Sequence, residues 1–265
     1  MIRRTVNTTQ EATFAIEVPD PGKLGMPAPI GTGFFVSQDG WFITAAHVVS
    51  TNGVRRDDMD QVTLIKERRP PTLQSSFCQF LRIDYINRDL DFALLKVDFA
   101  INRDKEWLNN RTGFPFLRFS TRVLDEGEPV YSFGYPLAEW EIVANGPAAT
   151  VGFTYLRPRV TSAIVSSTLE VDGALITDGD PVKYVLDKAL NPGNSGGPIV
   201  AVDTGAVHAF CSSYEDVTVW QRHIRSSSGQ ALPLKIPSLY SVAISLSNSD
   251  IVTQLRARGI SPSDG

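Results

Sequence analysis

With 265 residues and 42% hydrophobic side chains, the chain is long enough for one large unit or for two small halves that share an interface. A net charge of −4 leaves no strongly basic surface for a nucleic acid, and no apolar run approaches the roughly 18–20 residues that span a bilayer. Met1 to Ala15 carries Arg3 and Arg4 without a following apolar core, and the two cysteines, Cys78 and Cys211, are fewer than a secreted enzyme of this size usually pairs. The expectation is a reducing, cytoplasmic setting, with neither nucleic acid nor membrane as a partner.

In chain order, Thr13 to Val18 alternates Phe14, Ile16 and Val18 with small or polar neighbours and predicts a first strand. Pro19 to Pro29, rich in proline, reads as a surface connection. Gly33 to Ser37, then Gln38-Asp39-Gly40, then Trp41 to Thr44 predicts a hairpin that delivers His47. Thr51 to Pro71 reads as a charged, solvated loop around a short strand at Val62 to Ile65; Phe80 to Ile86 and Phe92 to Val97 are further strands, and Asn102 to Gly113 is the crossing between halves. A second series follows at Pro129 to Phe133, Val160 to Val171, Ala174 to Thr177, Val182 to Leu186, Ile199 to Val202, Ala206 to Ser212 and Tyr240 to Leu246. Tyr135 to Pro147 and Tyr214 to Ser238 read as long loops. Ser249 to Gly259, with Ser249 as N-cap, late arginines and a closing glycine, is read as the one convincing helix.

The chemistry concentrates in Leu190-Asn191-Pro192-Gly193-Asn194-Ser195-Gly196-Gly197-Pro198, where three glycines and two prolines around one serine specify backbone rather than packing. A serine held in this way suits a nucleophile, and consecutive inward amides at Gly193, Asn194 and Ser195 suit an oxyanion hole. Of the three histidines, His47 ends an apolar strand beside small alanines and is the favoured base; His208 reads as strand packing and His223 as a loop residue. The orienting carboxylate is Asp91, which abuts the apolar run Phe92 to Leu95, with Asp89 as its rival on the same face.

The order His47, Asp91, Ser195 resembles that of the chymotrypsin-like serine proteases. The likeness is nearest to the Deg/HtrA-type branch and is carried by Gly31-Thr32-Gly33-Phe34, Thr44-Ala45-Ala46-His47-Val48-Val49, Asp91-Phe92-Ala93-Leu94-Leu95, Phe133-Gly134-Tyr135-Pro136 and Asp187 to Pro198. The resemblance implies an all-β fold of two six-stranded antiparallel β-barrels with a C-terminal α-helix, divided as 1–115 and 116–265. It also implies a serine endopeptidase acting on polypeptides through His47, Asp91 and Ser195, with no cofactor and no metal.

By the same resemblance Ala189 forms the floor of the specificity pocket and Leu190 adjoins it, while Phe210, Cys211 and Ser212 supply a wall and an edge strand. An uncharged floor implies cleavage after small or medium apolar residues. Val48 stands where many secreted relatives of the trypsin type carry a disulfide cysteine. The chain departs from the Deg/HtrA pattern at Ala209, Phe210 and Cys211, and Asn194 in place of an aspartate removes the ion pair of trypsin-style activation. No PDZ module is read after Gly265.

Two other readings stay open. Gly193-Asn194-Ser195-Gly196-Gly197 also fits the serine elbow of α/β-hydrolases, but chain order weighs against it: their acid and histidine follow the serine on alternating strands and helices, whereas short strands and turns precede Ser195. The second is a protease fold gated by a regulatory protein partner, or a non-catalytic interaction module. The sequence leaves the oligomeric state open.

Overall fold

The computed structural model describes residues 2–20, 26–51, 54–55, 62–66, 77–79, 82–102, 108, 110–136, 139–144, 150–169, 183–188, 190–225 and 231–263. The first half runs α1 (Ile2–Ala12), β1 (Thr13–Asp20), β2 (Met26–Phe35), β3 (Trp41–Ala45), α2 (Ala46–Val49), β4 (Ser50–Thr51), β5 (Val54–Arg55), β6 (Thr63–Ile65), β7 (Phe77–Gln79), β8 (Arg82–Asn87), β9 (Phe92–Lys96) and α3 (Phe99–Asn102). Seven of its strands form an antiparallel sheet in the order β7-β6-β1-β2-β3-β9-β8. Alternation explains how β1 is shared. Phe14, Ile16 and Val18 enter the main core with Phe34, Phe35 and Phe42, whereas Ala15 points the other way, onto Phe133 and Tyr135 of the second half. The Asp39-Gly40 turn closes the β2–β3 hairpin as expected, with Gly40 at φ +101° and Val36 N–H donating to Trp41 O over 2.9 Å.

The second half continues with β10 (Pro129–Gly134), β11 (Glu139–Ala144), β12 (Thr150–Tyr155), β13 (Arg159–Leu169), β14 (Lys183–Leu186), β15 (Pro198–Ala201), β16 (Val207–Arg225), β17 (Ala231–Ser245) and α4 (Ser249–Arg256). Six strands close a barrel in the order β10-β13-β14-β17-β16-β15, sealed where β15 returns to β10. The architecture is therefore the all-β, chymotrypsin-like pair with a helix after the last strand.

Four sequence expectations need correction. The described residues of Tyr214 to Ser238, 214–225 and 231–238, are strand rather than loop: β16 and β17 stay paired from Tyr214↔Ser241 to Arg225↔Ala231, beyond the barrel. Pro233 and Pro237 lie within this pairing, and proline is tolerated on strands that have an unpaired edge. The Tyr135 to Pro147 stretch holds β11, which pairs with β12 as a separate hairpin. Within Pro19 to Pro29 the described residues, 19–20 and 26–29, are strand, with Glu17↔Pro29 through Asp20↔Met26 extending the β1–β2 pair. The fourth concerns α1, which its β-branched and amide residues disguised. Tertiary contacts hold it: the buried Thr9 hydroxyl meets Tyr131 Oη at 2.9 Å, and Arg111 Nη2 meets Glu11 at 2.7 Å. The strand expected at Ala174 to Thr177 lies outside the described residues.

The last helix is real, but its cap is Asn248 rather than Ser249: the Asn248 side chain accepts from the amides of Asp250 at 3.0 Å and Ile251 at 3.3 Å. This helix docks on the first half. Tyr85 Oη donates to Asp250 Oδ2 over 2.6 Å and Asn87 Nδ2 over 3.0 Å, while Arg258 bonds Asp84 and lies 5.3 Å from the Trp41 ring centroid. The Tyr85 hydroxyl, more than any other group, holds the Asp250 carboxyl below its ordinary range. A carboxyl that titrates lower folded than unfolded stabilises the fold above its unfolded pKa of roughly 4, and that stabilisation fades as the pH drops through the folded value. Asp250→Asn is expected to cost about 1–2 kcal/mol at pH 7 and progressively less below pH ~4. Melting curves of both proteins across that range should converge at low pH.

Candidate active site

Each element of the site is placed by the sheet that precedes it. β3 carries Ala45 to its end and α2 presents His47, whose side chain is 50% exposed, while the turn before β9 presents Asp91, 20% exposed. Asp91 has φ +48°, the left-handed region that few non-glycine residues adopt. Its backbone is fixed by Ala46 N–H donating to Asp91 O over 2.7 Å. Its carboxylate accepts from His47 N–H at 2.9 Å, from His47 Nδ1 at 2.8 and 3.0 Å, and from Ser212 Oγ at 2.6 Å. Because a carboxylate only accepts, the Nδ1 proton is fixed on that side and Nε2 is left as the ring's acceptor. Asp91, not Asp89, therefore meets the imidazole.

Ser195 lies on the loop between β14 and β15, and the bonds of this loop alternate. Asn194 N–H donates to Asn191 O at 3.1 Å, Gly196 N–H to Cys211 O at 2.6 Å and Gly197 N–H to Asn194 O at 2.8 Å. The amides of Gly193 and Ser195 have no acceptor among the described residues. The pair available to an oxyanion is thus Gly193 and Ser195, and the expectation for Asn194 is corrected because its amide already closes a turn. Gly193, at φ +100°, passes so near Tyr135 that a Cβ there would lie 2.5 Å from Tyr135 O; one on Gly196, at φ +82°, would lie 2.7 Å from Ala45 N. The serine loop is therefore pressed against the end of the His47 strand. Among the described residues, no hydrogen bond joins the Ser195 hydroxyl to His47.

Residues 31–209, well over half of the chain, match the family model for the trypsin-like peptidase domain. The chain belongs to that family. Relatives include the mitochondrial serine protease HTRA2 of Drosophila willistoni, 28% identical over 78% of this chain and 40% of its own length. The serine protease HTRA4 of Mus musculus is 27% identical over 67% of this chain and 29% of its own, and an uncharacterised protein, y4bJ, of Sinorhizobium fredii is 27% identical over 75% and 25%. The chain thus spans well under half the length of these relatives. The structure of the HtrA-type protease AlgW with a tripeptide shares the fold, with a TM-score of 0.56 and 19% identity over 98% of this chain and 65% of that one. This is a trypsin-like peptidase domain, similar in sequence and in fold to HtrA-type serine proteases.

The remaining site expectations divide. Ala189 lies outside the described residues. Leu190, expected beside the pocket floor, and Phe210, expected on its wall, are both buried in the cores, and the Phe210 ring centroid is 5.9 Å from that of Phe92. Ser212, expected on the wall, instead steadies the Asp91 carboxylate. His208 is packing, as expected, its Nδ1 donating to Arg122 O over 2.9 Å. His223 belongs to the β16–β17 ribbon rather than to a loop, its backbone opposite Pro233. Among the described residues, no cluster of three or more His, Cys, Asp or Glu side chains could hold a metal. The contacts of Thr32 and Tyr135 with the serine loop escaped the sequence reading, although Gly31-Thr32-Gly33-Phe34 and Phe133-Gly134-Tyr135-Pro136 marked their positions: the Thr32 hydroxyl donates to Gly193 O, and Tyr135 O lies against Gly193. Cys211 is buried beside the site, and burial first, then the Asp91 charge, pushes its thiol up to about 12. Iodoacetamide at pH 8 is expected to leave Cys211 unmodified in the native protein and to alkylate it after unfolding, as read by peptide mass spectrometry.

Proposed function

We propose that this domain hydrolyses peptide bonds through a Ser195, His47 and Asp91 triad and an acyl-enzyme. The observation that carries the reading is the Asp91 carboxylate bound at once by the His47 ring and Ser212, facing a serine loop whose Gly193 and Ser195 amides are uncommitted. Ser195 Oγ attacks the substrate carbonyl carbon while Nε2 of His47 takes its proton. The two free amides hold the oxyanion. Collapse breaks the C–N bond, the leaving amine takes the proton from Nε2, and the acyl group stays on Ser195. Water, deprotonated by the same ring, then releases the acid and restores the serine. Asp91 remains ionised throughout. The hydrogen bond between serine and imidazole forms as substrate closes over the site, since such contacts are often long before binding.

The small Ala189 at the position resembling the pocket floor supports cleavage after small or medium apolar residues, with the backbone of Cys211 to Ser213 as the docking edge. A peptide library is expected to show Ala, Val or Leu before the cut; a profile led by Lys or Arg removes this part of the proposal. The missing hydrogen bond between His47 and Ser195 favours one second reading, a triad that a regulatory protein brings into line.

A fluorophosphonate probe tests both readings. Labelling of the purified protein at Ser195, absent in Ser195→Ala, is the expected result, with peptide turnover falling by about 10⁶. Labelling only in the presence of cell extract selects the gated reading, and none under either condition removes the enzyme. Asp91→Asn keeps a side chain that tolerates the left-handed backbone, and a fall in kcat of about 10⁴ is expected because the amide no longer holds the proton on His47 Nδ1.

A further inference from the structure

The glycines of the serine loop leave its backbone free to turn, so whatever fixes the direction of its amides must come from outside it. Four pairings converge on Thr32, a fully buried residue of β2. Its hydroxyl donates to Gly193 O over 2.6 Å, and its N–H donates to Ser195 O over 2.8 Å. Thr32 is itself held on two sides: Tyr135 N–H donates to its hydroxyl at 3.2 Å, and the Thr44 hydroxyl donates to its carbonyl at 2.8 Å. We infer that Thr32 is a positioning residue that aims the Gly193 and Ser195 amides at the oxyanion. This inference rests on the endopeptidase reading above.

The plane carrying Gly193 O also carries Asn194 N–H, so it is pinned at one end by Thr32 and at the other by Asn191 O. The plane carrying Ser195 O also carries Gly196 N–H, pinned by the Thr32 amide and by Cys211 O. The Ser195 N–H belongs to the plane between these two, and the Gly193 N–H to the plane just before the first. Gripping alternate planes by their carbonyls fixes the intervening N–H groups without occupying them. The Thr32 hydroxyl has one proton, and Gly193 O receives it; the Tyr135 amide uses a lone pair, so both capacities point one way. Thr32 touches neither substrate nor reacting atoms and acts only through the loop.

Thr32→Val removes the hydroxyl while keeping the branched shape, and Thr32→Ser keeps the hydroxyl. Steady-state kinetics on a chromogenic apolar peptide should show kcat for Thr32→Val down by about 10²-fold with KM changed by less than about threefold, because the loss falls on the transition state. Thr32→Ser should recover kcat to within about tenfold of the parent, a rescue that a purely structural role at this site would not require. Equal kcat in Thr32→Val and the parent, or a loss in KM alone, overturns the inference. So does a fall in kcat shared equally by Thr32→Ser. Should Thr32→Val fail to fold, Thr32→Ala and Thr32→Ser decide it: the inference stands only if Thr32→Ser turns over peptide and Thr32→Ala loses kcat at unchanged KM. A parent protein with no turnover and no labelling at Ser195 fails the endopeptidase reading and this inference together; an active parent with an equally active Thr32→Val fails the inference alone.

Discussion

A partly buried carboxylate with too few donors would protonate or drag water into the site, and the Asp91 network is the solution this fold adopts. Asp91 takes two of its donors from His47, in the first half, and one from Ser212, in the second. One charge thereby fixes the imidazole, stands at the start of β9 and spans the seam between the sheets. The positive φ of Asp91 is the conformational cost, of order 1–3 kcal/mol for such a residue, and it persists because Ala46 N–H and the carboxylate bonds hold it from both ends.

The serine loop meets the opposite requirement. Its glycines make it permissive, so its shape is imposed by neighbours that are close packed: Tyr135 O crowds Gly193, and Ala45 N crowds Gly196. Any Cβ at these positions would displace backbone rather than a flexible side chain. Chemical competence therefore resides less in the serine than in the strands β2, β3 and β10 that surround it.

Much of this was legible in the residues. The apolar runs Trp41 to Ala45 and Phe92 to Leu95 have the period and composition of buried strands, and the two strands are indeed neighbours that hold His47 and Asp91 side by side. Short-range turn chemistry at Asp39-Gly40 was equally plain. What escaped depended on contacts distant in sequence. The middle of helix α1, Thr5 to Thr9, is poor in helix formers and the helix is held by Tyr131 and Arg111, and the β16–β17 ribbon carries prolines that speak against strand until its free edges are known. Ser212 and Thr32 were misjudged or missed for the same reason: a hydroxyl is chemically neutral in a sequence, and its role comes from the partner that folding sets opposite it.

The helices flanking the strands also cross over. The one before β1 reaches Tyr131 of the barrel, and the one after β17 lies on β8 and Trp41 of the opposite sheet. Each half is thus strapped by a segment adjoining the other, like two boards laced from opposite corners. Prising the halves apart would have to undo both laces before widening the cleft between His47 and Ser195. Loosening of the site and unfolding of the whole are consequently bound into a single cooperative event rather than two separate ones.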